Sequence, residues 1–348
     1  MSGVMSYSGI TTKIKAMQAK LLRESDYENI ANMKSVTEVI DFLREQPAYS
    51  ALINSMDTSL YHRKNVEKLL IESLYDDYTR VFKFAGSEQK KFMKYYIKRY
   101  EADLINYCLR IVFNHYDWPF DLDYKRDFFN KYSQLSIDKL ITSKNIGELV
   151  ENLKDTEYYS PLKKVYDSGS ATLFDYDLTL DLYSYTTIWK SRKRILKNDE
   201  LSFFTKDVGT AIDLMNLQWI YRAKRFYNLM PADIYSVTIP IQYRLKVNDY
   251  KALVESAGID DFLAKLGNTY YDKRYHFTES KTLEQLYKEC MFNLYISDRR
   301  NNPYSIASIN TYFFLKENEI DKLTTALECI RYGLAPRETL GYIGGVIH

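Results

Sequence analysis

The residues best placed to do chemistry are two Asp-x-x-Asn pairs, Asp103 with Asn106 and Asp213 with Asn216. Positions i and i+3 lie on one face of a helix, so each pair presents an acid and an amide together. The pairs stand 110 residues apart, in YEADLINYCLRIVF and AIDLMNLQWIYRAK, and a third carboxylate, Glu319, follows 106 residues later. There Lys322 stands where the amide would be. Around Asp213 the neighbours Ile212, Leu214, Met215, Leu217, Trp219 and Ile220 are apolar on every side, which predicts a buried carboxylate. A buried carboxylate needs an arginine or several backbone or amide donors. It could serve as a catalytic acid, or as a polar tie that fixes helix packing in each repeat. The same carboxylate in three copies favours the tie, with Asp103, Asn106, Asp213, Asn216 and Glu319 as its members.

Other chemistry finds little support. His62, His115, His276 and His348 show no HxxxH or HExxH spacing, so no metal site is expected. Asp175, Asp177 and Asp181 in FDYDLTLD resemble a calcium loop only superficially, because the central glycine and distal glutamate are missing; they read as an acidic helix start. No GxxxxGK[ST], GxGxxG or GxSxG occurs, which removes nucleotide-loop and serine-hydrolase readings. No catalytic, metal-binding or cofactor-binding residue is assigned. Two basic stretches remain, KKFMKYYIKRY at 90–100 and WKSRKR at 189–194. They could clamp phosphate and stack bases of a nucleic acid, or hold lipid headgroups, but they fit better a solvated helix face or an electropositive protein interface carried by Lys90, Lys94, Lys98, Arg192, Lys193 and Arg194.

The composition agrees with that choice. Lys and Arg total 48 against 46 Asp and Glu, so the chain lacks the basic excess of a general nucleic-acid coat. Glycine and proline together make 19 of 348 residues, under half the roughly 12% of average usage, which disfavours turn-rich β architectures. Tyrosine stands at 33, giving many rings that pack at one end and hydrogen-bond at the other. The three cysteines, Cys108, Cys290 and Cys329, have no CxxC spacing and point to a reducing compartment. No uncharged apolar run of membrane-spanning length and no signal-like N-terminus occurs, so a soluble cytoplasmic chain, monomeric in isolation, is expected.

The elements that must position these residues repeat. VTEVIDFLREQPAY (36–49), IGELVENLKDTEYY (146–159) and IDDFLAKLGNTYY (259–271) align with Leu43, Leu153 and Leu266 in register, 110 and 113 residues apart. DYENI (26–30), SIDKL (136–140) and DYKAL (249–253) precede them, each opening on a residue able to cap a helix. NVEKLLIESLYDDYTRVF places Val66, Leu69, Leu70, Leu74, Tyr78, Val81 and Phe82 on one helical face. Gly86-Ser87 then breaks the helix, and 87–113 reads as its long antiparallel partner. PADIYSVTIPIQYRL (231–245) reads as an extended connector because of Pro231 and Pro240. The fold expected is all-α, with three homologous helical subdomains over 1–120, 121–235 and 236–348 in approximate threefold arrangement. From the residues alone, an interaction scaffold, a nucleic-acid-binding helical protein and an enzyme using the Asp-x-x-Asn acids all stay open.

A resemblance narrows the field. YSGITTKIKAMQAKLL (7–22), MNLQWIYRAKRFYNL (215–229) with Ile239-Pro240, and NPYSIASINTYFFLKENEIDKL (302–323) followed by IRYGL (330–334) resemble, in order, the C-subunit family of bacterial and archaeal V-type (A-type) ATPases, counterpart of the d subunit of the eukaryotic V-ATPase. Lys322 departs from the amide of the third pair, and Arg222-Ala223-Lys224 has no counterpart after Arg110. The resemblance implies a non-catalytic rotor part without cofactors. Such a part is a funnel of three helical domains, peripheral to the cell membrane, seated on the proteolipid (c/K) ring and receiving the D and F subunits of the central shaft. It couples ATP hydrolysis or synthesis to proton or sodium movement.

Overall fold

A computed structural model describes residues 2–57, 62–114, 120–276 and 282–344. All regular structure among them is helical. The first helix, α1 (Ser2–Gln18), precedes a series in which three short helices are followed by two long ones. That series is α2 (Glu24–Ala31), α3 (Val36–Glu45), α4 (Ser50–Asn54), α5 (Arg63–Phe84) and α6 (Ser87–Phe113). After α7 (Asp123–Tyr132) the same order returns as α8 (Ile137–Leu140), α9 (Ile146–Asn152), α10 (Tyr159–Asp167), α11 (Leu173–Ile195) and α12 (Asn198–Arg225). After α13 (Pro231–Val237) it returns again as α14 (Val247–Val254), α15 (Ile259–Leu266), α16 (Tyr270–Tyr275), α17 (Leu283–Asn301) and α18 (Ile306–Arg331), and α19 (Pro336–Ile343) follows.

Local chemistry sets the ends of these helices. Ser35, Ser136, Asn145 and Thr269 accept the N–H of the residue three positions on, the usual service of an N-cap oxygen. In DYENI and DYKAL the aspartates work from inside the helix: Asp26 and Asp249 accept the backbone N–H of Arg23 and Lys246 at 2.7 and 3.3 Å. Thr172 and Asp175 cap α11, so the first carboxylate of FDYDLTLD is a helix-start group. One expectation is corrected. Residues 231–237 form α13, because Pro231 stands at the first helical position, where its missing N–H has no cost; the connector that follows, 238–246, is irregular and bent.

The chain forms two compact units, one of residues 1–90 and 295–348, the other of residues 91–294. In the first, α18 packs on α5, α1, α2, α3 and α19. Its core includes Ile40, Leu43, Tyr49, Tyr78, Phe313, Leu323 and Leu327, all essentially buried. In the second, α11 packs on α10 and α12, and α12 on α13 and α15, around Leu149, Leu162, Leu180, Leu217, Leu253 and Phe262. No helix among the described residues is long and apolar enough to cross a membrane.

Candidate functional site

The polar chemistry of both units concentrates on three buried carboxylates, each on the second long helix of a series. Asp213 on α12 is wholly buried. Its Oδ1 accepts the Tyr243 N–H at 3.0 Å, and its Oδ2 accepts the N–H groups of Arg244 and Leu245 at 2.6 and 3.0 Å and the Tyr271 hydroxyl at 2.8 Å. Glu319 on α18 accepts the Leu22 N–H at 2.6 Å and the Tyr49 hydroxyl at 2.5 Å. The third member is Glu101 on α6. It accepts the Ser133 hydroxyl at 2.5 Å, the Gln134 N–H at 3.2 Å and the Tyr158 hydroxyl at 2.8 Å.

The three sites share one plan. A carboxylate on a long helix accepts at least one backbone N–H of a loop and one tyrosine hydroxyl from a short-helix module. Tyr158 and Tyr271 stand 57 and 58 residues after Glu101 and Asp213. Glu319 finds its equivalent tyrosine, Tyr49, at the other end of the chain.

Asp103 is therefore not the first-repeat tie. It is exposed on α6, near Arg99, Lys125 and Arg110, whereas Glu101 is turned inward. The amides part company as well. Asn216 Nδ2 donates to Ile239 O at 2.9 Å and its Oδ1 accepts the Ile239 N–H at 2.8 Å, holding the segment after α13 against α12. Asn106 is half-buried and its Oδ1 receives no hydrogen bond, while Lys322 lies over the Tyr27 ring at 5.0 Å. Sequence reasoning missed Glu101 and the tyrosines. The near-equal acid-to-tyrosine spacing in the two later modules was the signal that could have found them.

The electrostatics follow from burial. Lys316 is buried, donates to the Tyr49 hydroxyl at 2.9 Å and lies 3.6 Å from Glu319 Oε1. Burial pulls its ammonium below the usual lysine range, against the pull of Glu319. Burial and the adjacent acid push the Tyr49, Tyr158 and Tyr271 phenols well above theirs. Asp213 is raised by burial, partly offset by its four donors. Donors already engage the lone pairs of these carboxylates, which leaves them little capacity for a further partner.

One glycine serves this arrangement. The ring of Tyr243, whose N–H binds Asp213, presses on Gly209 of α12; an added Cβ would meet its Cγ, Cβ and Cδ1 at 2.5, 2.8 and 2.9 Å. Gly209→Ala should cost about 1–3 kcal/mol despite alanine's better helix propensity, through overpacking. Urea denaturation checks this, and a stabilised variant would contradict it.

A half-buried acid of the second unit titrates near neutrality. Burial first, then Asp177 and Asp103, raise Asp181 on α11 to about 6, with Arg110 opposing. The folded state holds this proton above the pH at which the unfolded chain releases it. Its contribution is thus fully present below about pH 4 and is lost as pH rises through about 6. Asp181→Asn should flatten the stability profile between those values; an unchanged slope in denaturation at stepped pH would refute the assignment.

The basic residues are unequally free. Lys98 pairs with Glu157, Arg192 stacks on Trp189 at 3.6 Å and donates Nε–H to Thr205 Oγ1 at 3.2 Å, and Lys90, in the first unit, lies over Phe82 at 5.4 Å. Lys94, Lys193 and Arg194 are exposed in the second unit, and Arg194 lies near enough to Lys98 to oppose its charge. His62 caps α5 through Nδ1 and His276 ends α16, whereas His115 and His348 lie outside the described residues. Among the described residues no group of three or more His, Cys, Asp and Glu could hold a metal ion.

Helical modules in regular succession, with a buried acid on a long helix hydrogen-bonded to a short-helix module, define an all-helical protein. The chain belongs to the ATP synthase (C/AC39) subunit family, whose family model matches residues 10–342. It is 22% identical to the C subunit of the A-type ATP synthase of Thermococcus kodakarensis over 98% of this chain and 91% of that protein. The C subunit of the A-type ATP synthase of Methanocaldococcus jannaschii is 24% identical over 95% of this chain and 84% of its own length. That of Methanosarcina mazei is 25% identical over 77% and 72%.

Proposed function

We propose that the chain is the socket of a rotary ATPase, a non-catalytic part joining the D and F subunits of the central shaft to the membrane proteolipid ring. The observation that carries this reading is the family match over nearly the whole chain. In this reading the three helical subdomains form a funnel, peripheral to the cell membrane, and torque between soluble head and ring passes through them. A part that carries torque needs modules that do not slide, and buried, fully hydrogen-bonded acids at Glu101, Asp213 and Glu319 meet that need better than an apolar contact alone. The exposed cations Lys94, Lys193 and Arg194 form part of the docking face, where charge steers approach and sets orientation.

The test is capture of co-expressed D and F subunits by the tagged chain, with ATPase activity of the isolated chain as control. Stoichiometric capture without ATPase activity is expected. Failure to capture either of the two, at a salt concentration where the chain is folded, would overturn the reading. Reversing the charge at Lys94, Lys193 and Arg194 together should slow association about tenfold or more at low salt and much less at high salt. Unchanged rates would remove these residues from the docking face.

A further inference from the structure

Helix α19 holds, in the first unit, the place that α13 holds in the second. Pro231 and Pro336 open the two helices 18 and 17 residues after Asp213 and Glu319. Three and seven residues beyond each proline the side chains are buried: Ile234 and Thr238 on one side, Thr339 and Ile343 on the other. Helix α13 packs on α14, whose Tyr250 hydroxyl meets Thr238 Oγ1, and α7 packs on α8. In both cases the covering helix directly precedes the short helix it covers. Helix α19 packs on α2, where Tyr27 aligns with Tyr250, yet α2 lies at the opposite end of the sequence.

We infer that α19 is the leading helix of the first repeat, supplied from the far end of the chain, and that it acts as a strap closing that repeat. Its seat is narrow. Thr339 and Ile343 are buried, while Arg337, Glu338, Gly341 and Tyr342 face solvent. Eight residues do not sustain a helix alone in water, so once off its seat the segment unwinds. A hinge is in place at its root: Gly333 has φ +69°, a left-handed conformation that glycine adopts without strain, and Leu334 N–H closes the end of α18 on Cys329 O at 3.0 Å. Beneath the strap lies the Cys329 thiol, against Thr339 and buried. The strap also bears on the tie, since Tyr27 of α2 feels the charge of Glu319. Lifting α19 uncovers Cys329 and α2 while the second unit, with Cys108 and Cys290 fully buried, stays closed.

Maleimide labelling of the full chain, read by mass spectrometry at each cysteine, tests this together with hydrogen exchange. Ile343→Asp should label Cys329 at least about tenfold faster and strip protection from α2. Cys108 and Cys290 should keep their rates, and Ile343→Val should behave as wild type. Cys329 labelling at the wild-type rate, or all three thiols accelerating together, would overturn the strap. In the wild-type chain, low urea should label Cys329 before the other two and α19 should exchange before the body of α18; simultaneous labelling would overturn it equally.

Discussion

Glu319→Ala should destabilise the first unit by about 3–5 kcal/mol, because it strands the buried Lys316 ammonium without its acid. The Leu22 N–H and the Tyr49 hydroxyl lose their acceptor in the same step. Removing the cation instead should cost less: Lys316→Met leaves Glu319 with both of those donors and fills the same volume. Combining Lys316→Met with Glu319→Leu should recover part of the loss of Glu319→Ala, since the pair is then replaced rather than broken. Denaturation midpoints of the four chains decide the matter. A Glu319→Ala chain as stable as wild type, or a double variant no better than it, would show that Lys316 is not held by this acid.

The second large effect belongs to Asp213. Its removal as Asp213→Ala leaves three backbone N–H groups and a tyrosine hydroxyl without their acceptor. An orphaned donor costs about 1–3 kcal/mol, and with some relaxation the total should reach about 4 kcal/mol. Asp213→Asn, which keeps one acceptor oxygen but turns an NH2 toward donors, should fall between alanine and wild type. Tyr271→Phe removes one donor of the four and should cost about 1 kcal/mol. Hydrogen exchange provides a second readout, since the amides of Tyr243, Arg244 and Leu245 should lose protection selectively in Asp213→Ala. Equal protection in both chains would mean that these amides have another acceptor.

Much of the architecture could be read before any coordinates. The aligned leucines Leu43, Leu153 and Leu266 belong to the α3, α9 and α15 modules, and Ser136 caps the helix that its position implied. Asp213 was identifiable because its apolar neighbours leave it nowhere to go but inward. Asp103 misled for a physical reason: residues two apart on a helix point to nearly opposite sides, so choosing Asp103 over Glu101 picks the solvent face. Both carry an acid, and the amide at Asn106 imitated the pair at Asp213 and Asn216 by composition alone. The deciding partners, Ser133, Gln134 and Tyr158, are more than thirty residues away, and helical periodicity says nothing about them. The role of α19 was hidden likewise, because a repeat completed from the opposite end of the chain shows no local period.

The bonds of Glu319 to Leu22 and Tyr49 join residues 297 and 270 positions apart, whereas those of Asp213 reach no further than 58. A ribosome delivers the chain from its N-terminus, and domains generally fold as they emerge. The second unit can therefore finish while translation continues, but the faces of α1, α2, α3 and α5 that meet α18 stay unmatched until α18 has left the exit tunnel. The N-terminal quarter of the protein is consequently the last to be completed and the segment most in need of a chaperone during synthesis.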